Sequence, residues 1–449
     1  MFDFSTEGVI IVLLLSLVML GVHVAVSLAV TSAVGIYLTT GKLHVVQATV
    51  ASTSAEALRD FTFAVIPLFM LMGEFMGRSG AVTDIYIAIN RSLRTVPARL
   101  GIATVLGNTV FSFVTGVSIA SAAAFARIGY PEMKAHGYNK GFALGTIAGS
   151  SVLGMLIPPS VLMIVWGILT EQSIGRLFLA GVLPGMLLAT LFIIYILIAA
   201  RVRPDLVGQQ MQDAPVVLEE GAFDSTAHEL KPAQFVVSVV GVLGIICSVL
   251  GGIWFGIFTP TEGAGAGAAL ALLLAFVKGM TGRGFIDAIY AVGKTSAPIL
   301  ILLLCAALYS RTLAMSGVTT EIRSFFVDSG FGAWTVFAII ILIWFILGMI
   351  IDSISIMLLT VPIVEPVAMA FGFDQLTFAI VGIIAIEAGL LTPPFGLLVY
   401  TVKAAIRDDS VGVQHIFWSA IPYWLIMLAL AAAMMAFPFI TNVLPNALM

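Results

Sequence analysis

Long apolar stretches with few charges recur along the whole 449-residue chain, and they constrain its fold more than any other feature. A helix needs about 20 apolar residues to cross the hydrocarbon layer of a bilayer. Because backbone hydrogen bonds in that layer must be satisfied internally, helices are the structure that such runs predict. The sequence therefore predicts an all-α polytopic membrane protein in a lipid bilayer. The clearest runs are 9–38, 177–200, 235–257, 334–351 and 416–440.

The composition argues against several soluble functions. Hydrophobic residues make up 60% of the chain and charged residues 10%, whereas about 25% charged residues is usual in a soluble domain. The formal net charge of −4 provides no basic surface for nucleic acid. The stretch AIYAVGKT at 288–295 resembles a phosphate-binding loop but has no strand pattern around it. We therefore expect no enzyme, no organic cofactor and no nucleic-acid partner.

One polar stretch, 201–233, divides the chain into two apolar halves. It predicts a linker loop, because it is too short to build a core of its own. The first half (1–200) and the second half (234–449) carry similar landmarks at a nearly constant spacing, such as Pro158 and Pro393. This spacing predicts an internal duplication, and transporter folds are commonly built from two structural repeats.

A segment at about 100–126 has basic residues at both of its ends. Basic residues concentrate in cytoplasmic loops, so such a segment is expected to enter and leave the membrane on the same face. Its middle, NTVFSFVTGVSIASAAA, is rich in small and hydroxyl residues, which suit a tip buried in protein. The pattern predicts a re-entrant helical hairpin, with a plain membrane span as the alternative. The flanking residues are Arg91, Arg94, Arg99, Arg127, Lys134 and Lys140.

The corresponding segment of the second half, about 334–365, predicts a second hairpin. Asp352 interrupts its apolar run in the stretch GMIIDSISIMLLTVP. An ionisable group inside a membrane segment is costly unless it lines a cavity or binds something. Asp352 is therefore a candidate functional residue.

Each predicted hairpin is followed by a membrane helix that a proline pair interrupts. The pairs lie in GMLIPPS at 154–160 and in GLLTPPF at 389–395, inside predicted helices 141–170 and 377–406. A proline inside a helix cannot donate to the carbonyl four residues earlier. We expect the pairs to free four carbonyl oxygens, those of Gly154, Met155, Gly389 and Leu390.

Such a break provides groups that bind ions. Freed carbonyl oxygens can bind a dehydrated cation, and the helix that restarts after the break directs its N–H groups towards anions. Oxygen ligands favour a hard cation over a transition metal. Sodium is the cation we expect, at Thr115, Ser118, Asp352 and Thr392. A proton carried by Glu387 is the alternative, and a capped or water-facing carboxylate is the other interpretation of that residue.

Four stretches make the chain resemble the large membrane subunit of the tripartite ATP-independent periplasmic (TRAP) transporters. They are IPLFMLMGEFMGRSG at 66–80, the stretch 129–185, GIFTPTEGAGAGA at 256–268 and GLLTPPFGLLVY at 389–400. The resemblance implies an elevator-type ion-transporter fold in a bacterial inner membrane. It also implies sodium-coupled import of a carboxylate-bearing metabolite, such as a C4-dicarboxylate or a sugar acid.

The resemblance implies two protein partners. One is a small four-helix membrane subunit, which we expect to be a separate chain, and the other is a periplasmic substrate-binding protein. A stand-alone sodium- or proton-coupled organic anion carrier, which needs no soluble partner, is the alternative function.

Transferred by position, the resemblance implies at least two sodium sites, one at each hairpin and its neighbouring break. The tip of the first hairpin reads TGVS at 115–118, so a valine replaces one hydroxyl residue of the family pattern. The sodium ligands, partly through backbone carbonyls, are Thr115, Ser118, Gly154, Ile157, Pro159, Gly348, Asp352, Gly389, Thr392 and Phe395. The substrate contacts assigned beside them are Asn108, Ser121, Ser160, Ser353, Ser355, Pro394 and Gly396.

Overall fold

The computed structural model describes residues 6–208, 232–406 and 408–449. Within these ranges the chain forms helices joined by turns and contains no strand, so the predicted all-α class is confirmed. Eight helical stretches of the described chain are long and apolar enough to cross a membrane. They are Phe61–Ser79, Lys140–Thr170, Ile174–Val202, Ala233–Trp254, Pro260–Val277, Gly282–Ser316, Ser353–Ala370 and Val413–Ala436.

The first half contains eleven helices within the described residues, ending where the predicted linker begins. Residues 209–231 of that linker lie outside the described residues. The helices are α1 (Thr6–Met19), α2 (Val24–Thr40), α3 (Leu43–Arg59), α4 (Val65–Ser79), α5 (Ala81–Ser92), α6 (Arg99–Thr115), α7 (Ser118–Ala135), α8 (Lys140–Ser151), α9 (Leu153–Leu156), α10 (Val161–Thr170) and α11 (Ile174–Val202).

The second half repeats this order. The helices are α12 (Pro232–Ile246), α13 (Gly252–Trp254), α14 (Pro260–Val277), α15 (Gly282–Ser316), α16 (Val318–Asp328), α17 (Ala333–Gly348), α18 (Ser353–Ala370), α19 (Gln375–Gly389), α20 (Leu397–Ala405), α21 (Val413–Ala436) and α22 (Phe439–Leu448).

Matching helices of the two halves begin at a nearly constant offset. Helices α5 and α16 begin at residues 81 and 318, an offset of 237, and α8 and α19 begin at 140 and 375, an offset of 235. Helix α15 continues through Pro298, whereas the matching part of the first half is divided into α3 and α4. The chain therefore has two structural repeats, as the landmark spacing predicted.

Helices α6 and α7 form the first hairpin. Arg99, at the start of α6, places Nη2 3.3 Å from Nε2 of His136, just beyond the end of α7. The two ends of the segment are therefore adjacent, and the alternative of a plain span is wrong. Helix α7 extends past the predicted limit at about 126 to Ala135 and contains Pro131.

Helices α17 and α18 form the second hairpin. The rings of Phe337, near the start of α17, and Phe373, beyond the end of α18, lie with centroids 6.3 Å apart. Helix α18 also extends past its predicted limit at 365, to Ala370, with Pro362 and Pro366 inside it.

Both proline pairs interrupt helices, as the sequence predicted. The first broken helix consists of α8, α9 and α10 with a gap at 157–160, and the second consists of α19 and α20 with a gap at 390–396. In both pairs the peptide bond between the prolines is cis. The most apolar window of the first broken helix is 89% buried, so this helix is surrounded by protein.

Two glycines on α8 allow the side chains of α21 to pack closely against it. A Cβ atom added to Gly145 would lie 2.6 Å from Ser419, and one added to Gly149 would lie 2.1 Å from the ring of Tyr423. Thr146, between them in sequence, shares a 2.8 Å hydrogen bond with the Tyr423 hydroxyl. This contact fixes the first broken helix against α21 of the second half.

Candidate functional site

The tip of the first hairpin contacts the first helix break through backbone atoms. Gly116 has a φ of +64°, a conformation that glycine adopts at little cost. Its carbonyl accepts a 3.1 Å hydrogen bond from the amide of Val161, the first residue of α10. A Cβ atom at Gly116 would lie 2.2 Å from the carbonyl oxygen of Pro159, so glycine is required at this point.

Gly154 brings the other side of the same break close to the hairpin. A Cβ atom at Gly154 would lie 2.9 Å from Oγ of Ser121 and 3.0 Å from the amide nitrogen of Ser118. Thr115, Ser118, Gly154 and Pro159 are therefore neighbours, as the sequence predicted for one site. Ile157 completes the gap, and its side chain packs against Gly185 of α11.

The second hairpin meets the second break in the same manner. Gly348 and Gly389 face each other so closely that a Cβ atom on Gly348 would lie 2.8 Å from Cα of Gly389. The amide of Phe395 donates a 3.1 Å hydrogen bond to the carbonyl of Met349. Gly348, Gly389 and Phe395 of the predicted second group are thus brought together around a close contact of two helix ends.

Glu387 lies between the two hairpins. Its Oε1 accepts a 2.6 Å hydrogen bond from Ser353, at the start of α18, and Ser118 of the first hairpin lies beside the same carboxylate. The side chain is buried, with 1% of its surface exposed. One carboxylate therefore contacts both halves of the site. The interpretation of Glu387 as a water-facing carboxylate is wrong.

Several buried oxygen atoms at this junction have no hydrogen-bond partner among the described residues. Buried polar atoms are nearly always paired in proteins, so each exception needs an explanation. Oxygen atoms without partners fit a hard cation or the polar groups of a substrate. Asn108 Oδ1 and Ser121 Oγ are two of these atoms. Ser118 Oγ and Glu387 Oε2 meet no ideal hydrogen-bond geometry, and the Ser118 hydroxyl has the Glu387 carboxylate beside it.

The surrounding residue types disfavour a transition metal. In the described part of the chain, no group of three or more His, Cys, Asp or Glu side chains is placed to hold a metal ion. Hydroxyl, amide, carbonyl and single carboxylate oxygens suit an alkali cation better than zinc or iron. The residues present therefore fit a sodium ion.

Asp352 also has a structural role. It is the N-cap of α18 and accepts hydrogen bonds from the amide of Ser355 at 3.0 Å and from its hydroxyl at 2.5 Å. A carboxylate has further lone pairs after these bonds. Sodium binding by Asp352 stays a prediction beside this capping function.

The expectation that four carbonyls are free is wrong for three of them. Ser160 donates to the carbonyl of Met155 at 2.5 Å, and Thr392 donates to the carbonyl of Gly389 at 2.6 Å. The amide of Leu398 donates to the carbonyl of Leu390 at 3.3 Å. Local hydroxyls and the restarting helix thus satisfy most of the oxygens that the prolines release.

The two breaks differ in their surroundings. Ser160 and its neighbours in the first break are fully buried, and Ser160 also caps α10 by accepting from the amide of Met163. In the second break Pro394 is exposed and Phe395 has 60% of its surface exposed. The second break is therefore the accessible side of the site, and Gly396 beside it is covered by Phe417.

One contact was not predicted. Ser150 lies on α8, about one turn before Gly154 of α9. It accepts a 2.7 Å hydrogen bond from Nδ2 of Asn108. The bond directs Asn108 from the first hairpin towards the first broken helix. The hydroxyl of Ser150 lies in the run GSS, which is the only sequence signal that could have indicated it.

A cluster of charged and hydroxyl groups outside the membrane segments joins the two repeats. Asp408, in the turn after α20, accepts a 2.8 Å hydrogen bond from Tyr130 of α7, and Nζ of Lys134 lies 2.9 Å from the same oxygen. Bonds from Ser410 first, then from Lys134 and Tyr130, hold the pKa of Asp408 well below its usual range. The base of the first hairpin is thereby attached to the end of the second broken helix.

Comparison with known proteins identifies the family. The family model described as "Tripartite ATP-independent periplasmic transporter, DctM component" matches residues 11–440. A C4-dicarboxylate TRAP transporter large permease protein of Pseudomonas aeruginosa is 30% identical over 87% of this chain and 88% of its own length. A sialic acid TRAP transporter large permease protein of Vibrio cholerae is 27% identical over 86% of this chain and 87% of its own length.

A solved structure shares the fold. The crystal structure of the YdaH transporter of Alcanivorax borkumensis aligns with a TM-score of 0.64 at 13% identity, covering 91% of each chain. At this identity the likeness concerns the fold alone.

Proposed function

Because this chain belongs to the family of DctM components of tripartite ATP-independent periplasmic transporters, we propose that it is the importer subunit for a carboxylate-bearing metabolite and that sodium drives the import. The related permeases named above carry a C4-dicarboxylate and a sialic acid. Both of these compounds have a carboxylate, which is the chemical feature we assign to the substrate. Like its relatives, this chain is a transport protein and has no enzymatic role.

The observation that carries the proposal is the junction of unpaired oxygens between the hairpin tips. Ser121 Oγ of the first hairpin is buried without a partner among the described residues, and the buried Ser118 hydroxyl has only the Glu387 carboxylate beside it. A sodium ion bound there supplies the missing interactions and offsets the negative charge of Glu387. Its positive charge then attracts a carboxylate to the same place, which couples the two solutes.

We assign the remaining site residues to the same scheme. One sodium ion binds at the first hairpin tip and the first break, and a second binds near Asp352, Gly389 and Thr392. The substrate carboxylate binds beside the second break, because Pro394 and Phe395 are exposed there. The partners in this scheme are a small membrane subunit and a periplasmic binding protein that delivers the substrate.

The repeats suggest how the site reaches both faces of the membrane. Helices α6–α11 and α17–α21 form one body that carries both hairpins and both breaks, and we call it the transport body. Helices α1–α5 and α12–α16 form the scaffold. We propose that the transport body slides along the scaffold in an elevator-type movement within the bacterial inner membrane.

Uptake into proteoliposomes tests the function. Vesicles containing the full chain and its small subunit receive the binding protein loaded with radiolabelled succinate or sialic acid, the two substrate classes of the relatives. We expect accumulation only with an inward sodium gradient. Accumulation without the binding protein would favour the stand-alone carrier, and flux that ignores the sodium gradient would contradict the proposed coupling.

A further inference from the structure

A cavity of about 490 Å³ lies between the scaffold and the first hairpin. Helix α4 forms one wall with Gly73 and Arg78, and α7 forms the facing wall with Ala123 and Arg127. Thr115, at the hairpin tip, also lines it. The volume suits a small organic molecule, and the cavity extends from the proposed ion site along the hairpin.

Arg127 is a positive charge on the transport body, and no side chain in the described part of the chain pairs with it. It is exposed, and none of the described residues forms a hydrogen bond or ion pair with it. Most of the neighbouring lining residues on α7 are small or apolar, such as Ile119, Ala120 and Ala123. A guanidinium that lines a mostly apolar wall and has no partner among the described residues offers its N–H groups to an anion.

The facing wall carries a second guanidinium that is held in place. Arg78 donates to Glu74 with a 2.6 Å bond and to the carbonyl of Gly284 at 3.4 Å. Glu74 offsets part of its charge, so Arg127 provides most of the net attraction. The cavity thus has one fixed, partly neutralised arginine on the scaffold and one unpaired arginine on the transport body.

The matching cavity of the other repeat shows that this charge does not come from the duplication. It measures about 480 Å³, and Thr319 and Thr320 occupy the positions that correspond to Val82 and Thr83 in the first cavity. Helices α7 and α18 begin 235 residues apart, so Pro362 lines this cavity at the position that corresponds to Arg127. The two acidic residues of its lining are Glu171 and Glu365.

The cavity with the arginines faces the side where basic residues concentrate. Arg127 lies nine residues beyond Ser118, the first residue after the hairpin tip, which is about 14 Å along a helix. Arg91, Arg94 and Lys134 lie at the same end of the hairpin, which the distribution of basic residues identifies as cytoplasmic. Arg127 therefore lies between the proposed ion site at the first hairpin tip and the cytoplasmic end of the hairpin.

We propose that Arg127, assisted by Arg78, forms a carboxylate-binding station on the path by which the substrate leaves for the cytoplasm. The station rests on the proposed import function, because it acts on the substrate after the sodium site has released it. A guanidinium binds a carboxylate through two parallel N–H bonds and recognises little else of the molecule. Small dicarboxylates in general bind at this station, whichever one the complete transporter carries.

Charge-selective labelling of the cavity wall tests the station without requiring transport. Ala123 lies one turn before Arg127 on the same face of α7. The variant Ala123→Cys provides the cysteine to be labelled, and the substitutions Cys247→Ser and Cys305→Ala remove the two native cysteines. The full chain is placed in phosphatidylcholine nanodiscs, where both faces are accessible. The modification rate is measured with an anionic and with a trimethylammonium methanethiosulfonate reagent.

We expect the ratio of the anionic to the cationic rate to fall at least ~3-fold in R127Q, because a full positive charge about one helical turn away is removed. The matched control is R94Q, which removes an exposed arginine from the same face of the protein outside the cavity. This control should leave the ratio unchanged. Millimolar succinate should slow the anionic reagent when Arg127 is present, and sodium chloride of equal ionic strength should not.

Three results would overturn the proposal: an unchanged ratio in R127Q, no protection by succinate, or equal protection by succinate in R127Q. An anionic lipid headgroup is the other source of the same chemistry. Nanodiscs with phosphatidylglycerol test it, and protection by this lipid but not by succinate would assign the site to a headgroup. Loss of sodium-driven uptake with the labelling pattern intact would instead contradict the proposed function alone.

Discussion

Gly116 is the residue at which the first hairpin and the first break approach most closely. Its positive φ, and the 2.2 Å that would separate an added Cβ atom from the carbonyl oxygen of Pro159, leave no room for a side chain. The same contact sets the position of Ser118, two residues later, beside Glu387. The geometry of the proposed ion site therefore depends on the absence of one methyl group.

We expect Gly116→Ala to abolish sodium-driven uptake. The left-handed conformation costs a non-glycine residue about 1–2 kcal/mol, and the backbone contact must open to admit the methyl group. Gly293→Ala is the matched control, because a Cβ atom there meets nothing within 4 Å and alanine favours a helix. Uptake and thermal unfolding of both variants check this expectation, and normal uptake by Gly116→Ala would contradict the tight contact.

The helices, hairpins and helix breaks that depend on neighbouring residues could be predicted from the sequence. The basic flanks of 100–126 predicted the hairpin that Arg99 and His136 close, and the proline pairs predicted both breaks. The satisfied carbonyls were not predicted, because Ser160 and Thr392 return to oxygens only three to five residues away. The contact of Gly348 with Gly389 depends on packing between distant segments, which one sequence does not reveal.

Accessibility of introduced cysteines tests the hairpin arrangement. Thr95→Cys before α6 and Ala135→Cys at the end of α7, both exposed, should react with a membrane-impermeant thiol reagent from the same side. Ser329→Cys, beyond α16 and near the start of the second hairpin, should react from the opposite side, because five candidate membrane spans of the described chain lie between residues 135 and 329. Labelling of residues 95 and 135 from opposite sides would rule out the re-entrant structure.

Contacts between the two repeats hold the transport body together. Trp166 of α10 packs against Trp344 of α17 with ring centroids 5.9 Å apart, and Phe378 of α19 lies 5.3 Å from Trp344. At the other end, Asp408 joins Tyr130 and Lys134 to the turn after α20. The two breaks can therefore move as one unit, which an elevator-type movement requires.

We expect Asp408→Asn to destabilise the protein in a pH-dependent manner. In the folded protein the pKa of Asp408 is held below its usual range. The charged side chain therefore stabilises the fold fully above about pH 4, the ordinary carboxyl pKa. This stabilisation is lost as the pH falls from there through the lowered pKa of the folded protein. The difference in unfolding temperature between wild type and variant should be constant from about pH 5 to pH 8 and shrink below about pH 4. Asp409→Asn, an exposed neighbour, is the control; an equal effect there would contradict the assignment.

The proposed coupling requires that sodium bind where the two hairpins converge on Glu387. Equilibrium binding of radioactive sodium to the purified full chain measures this directly. We predict saturable binding that potassium does not displace, with an affinity at least about tenfold weaker in Glu387→Gln, which keeps an acceptor for Ser353 but removes the charge. Glu321→Gln, at an exposed position on α16, should bind like wild type. Absence of saturable binding, or equal binding by Glu387→Gln, would contradict this claim.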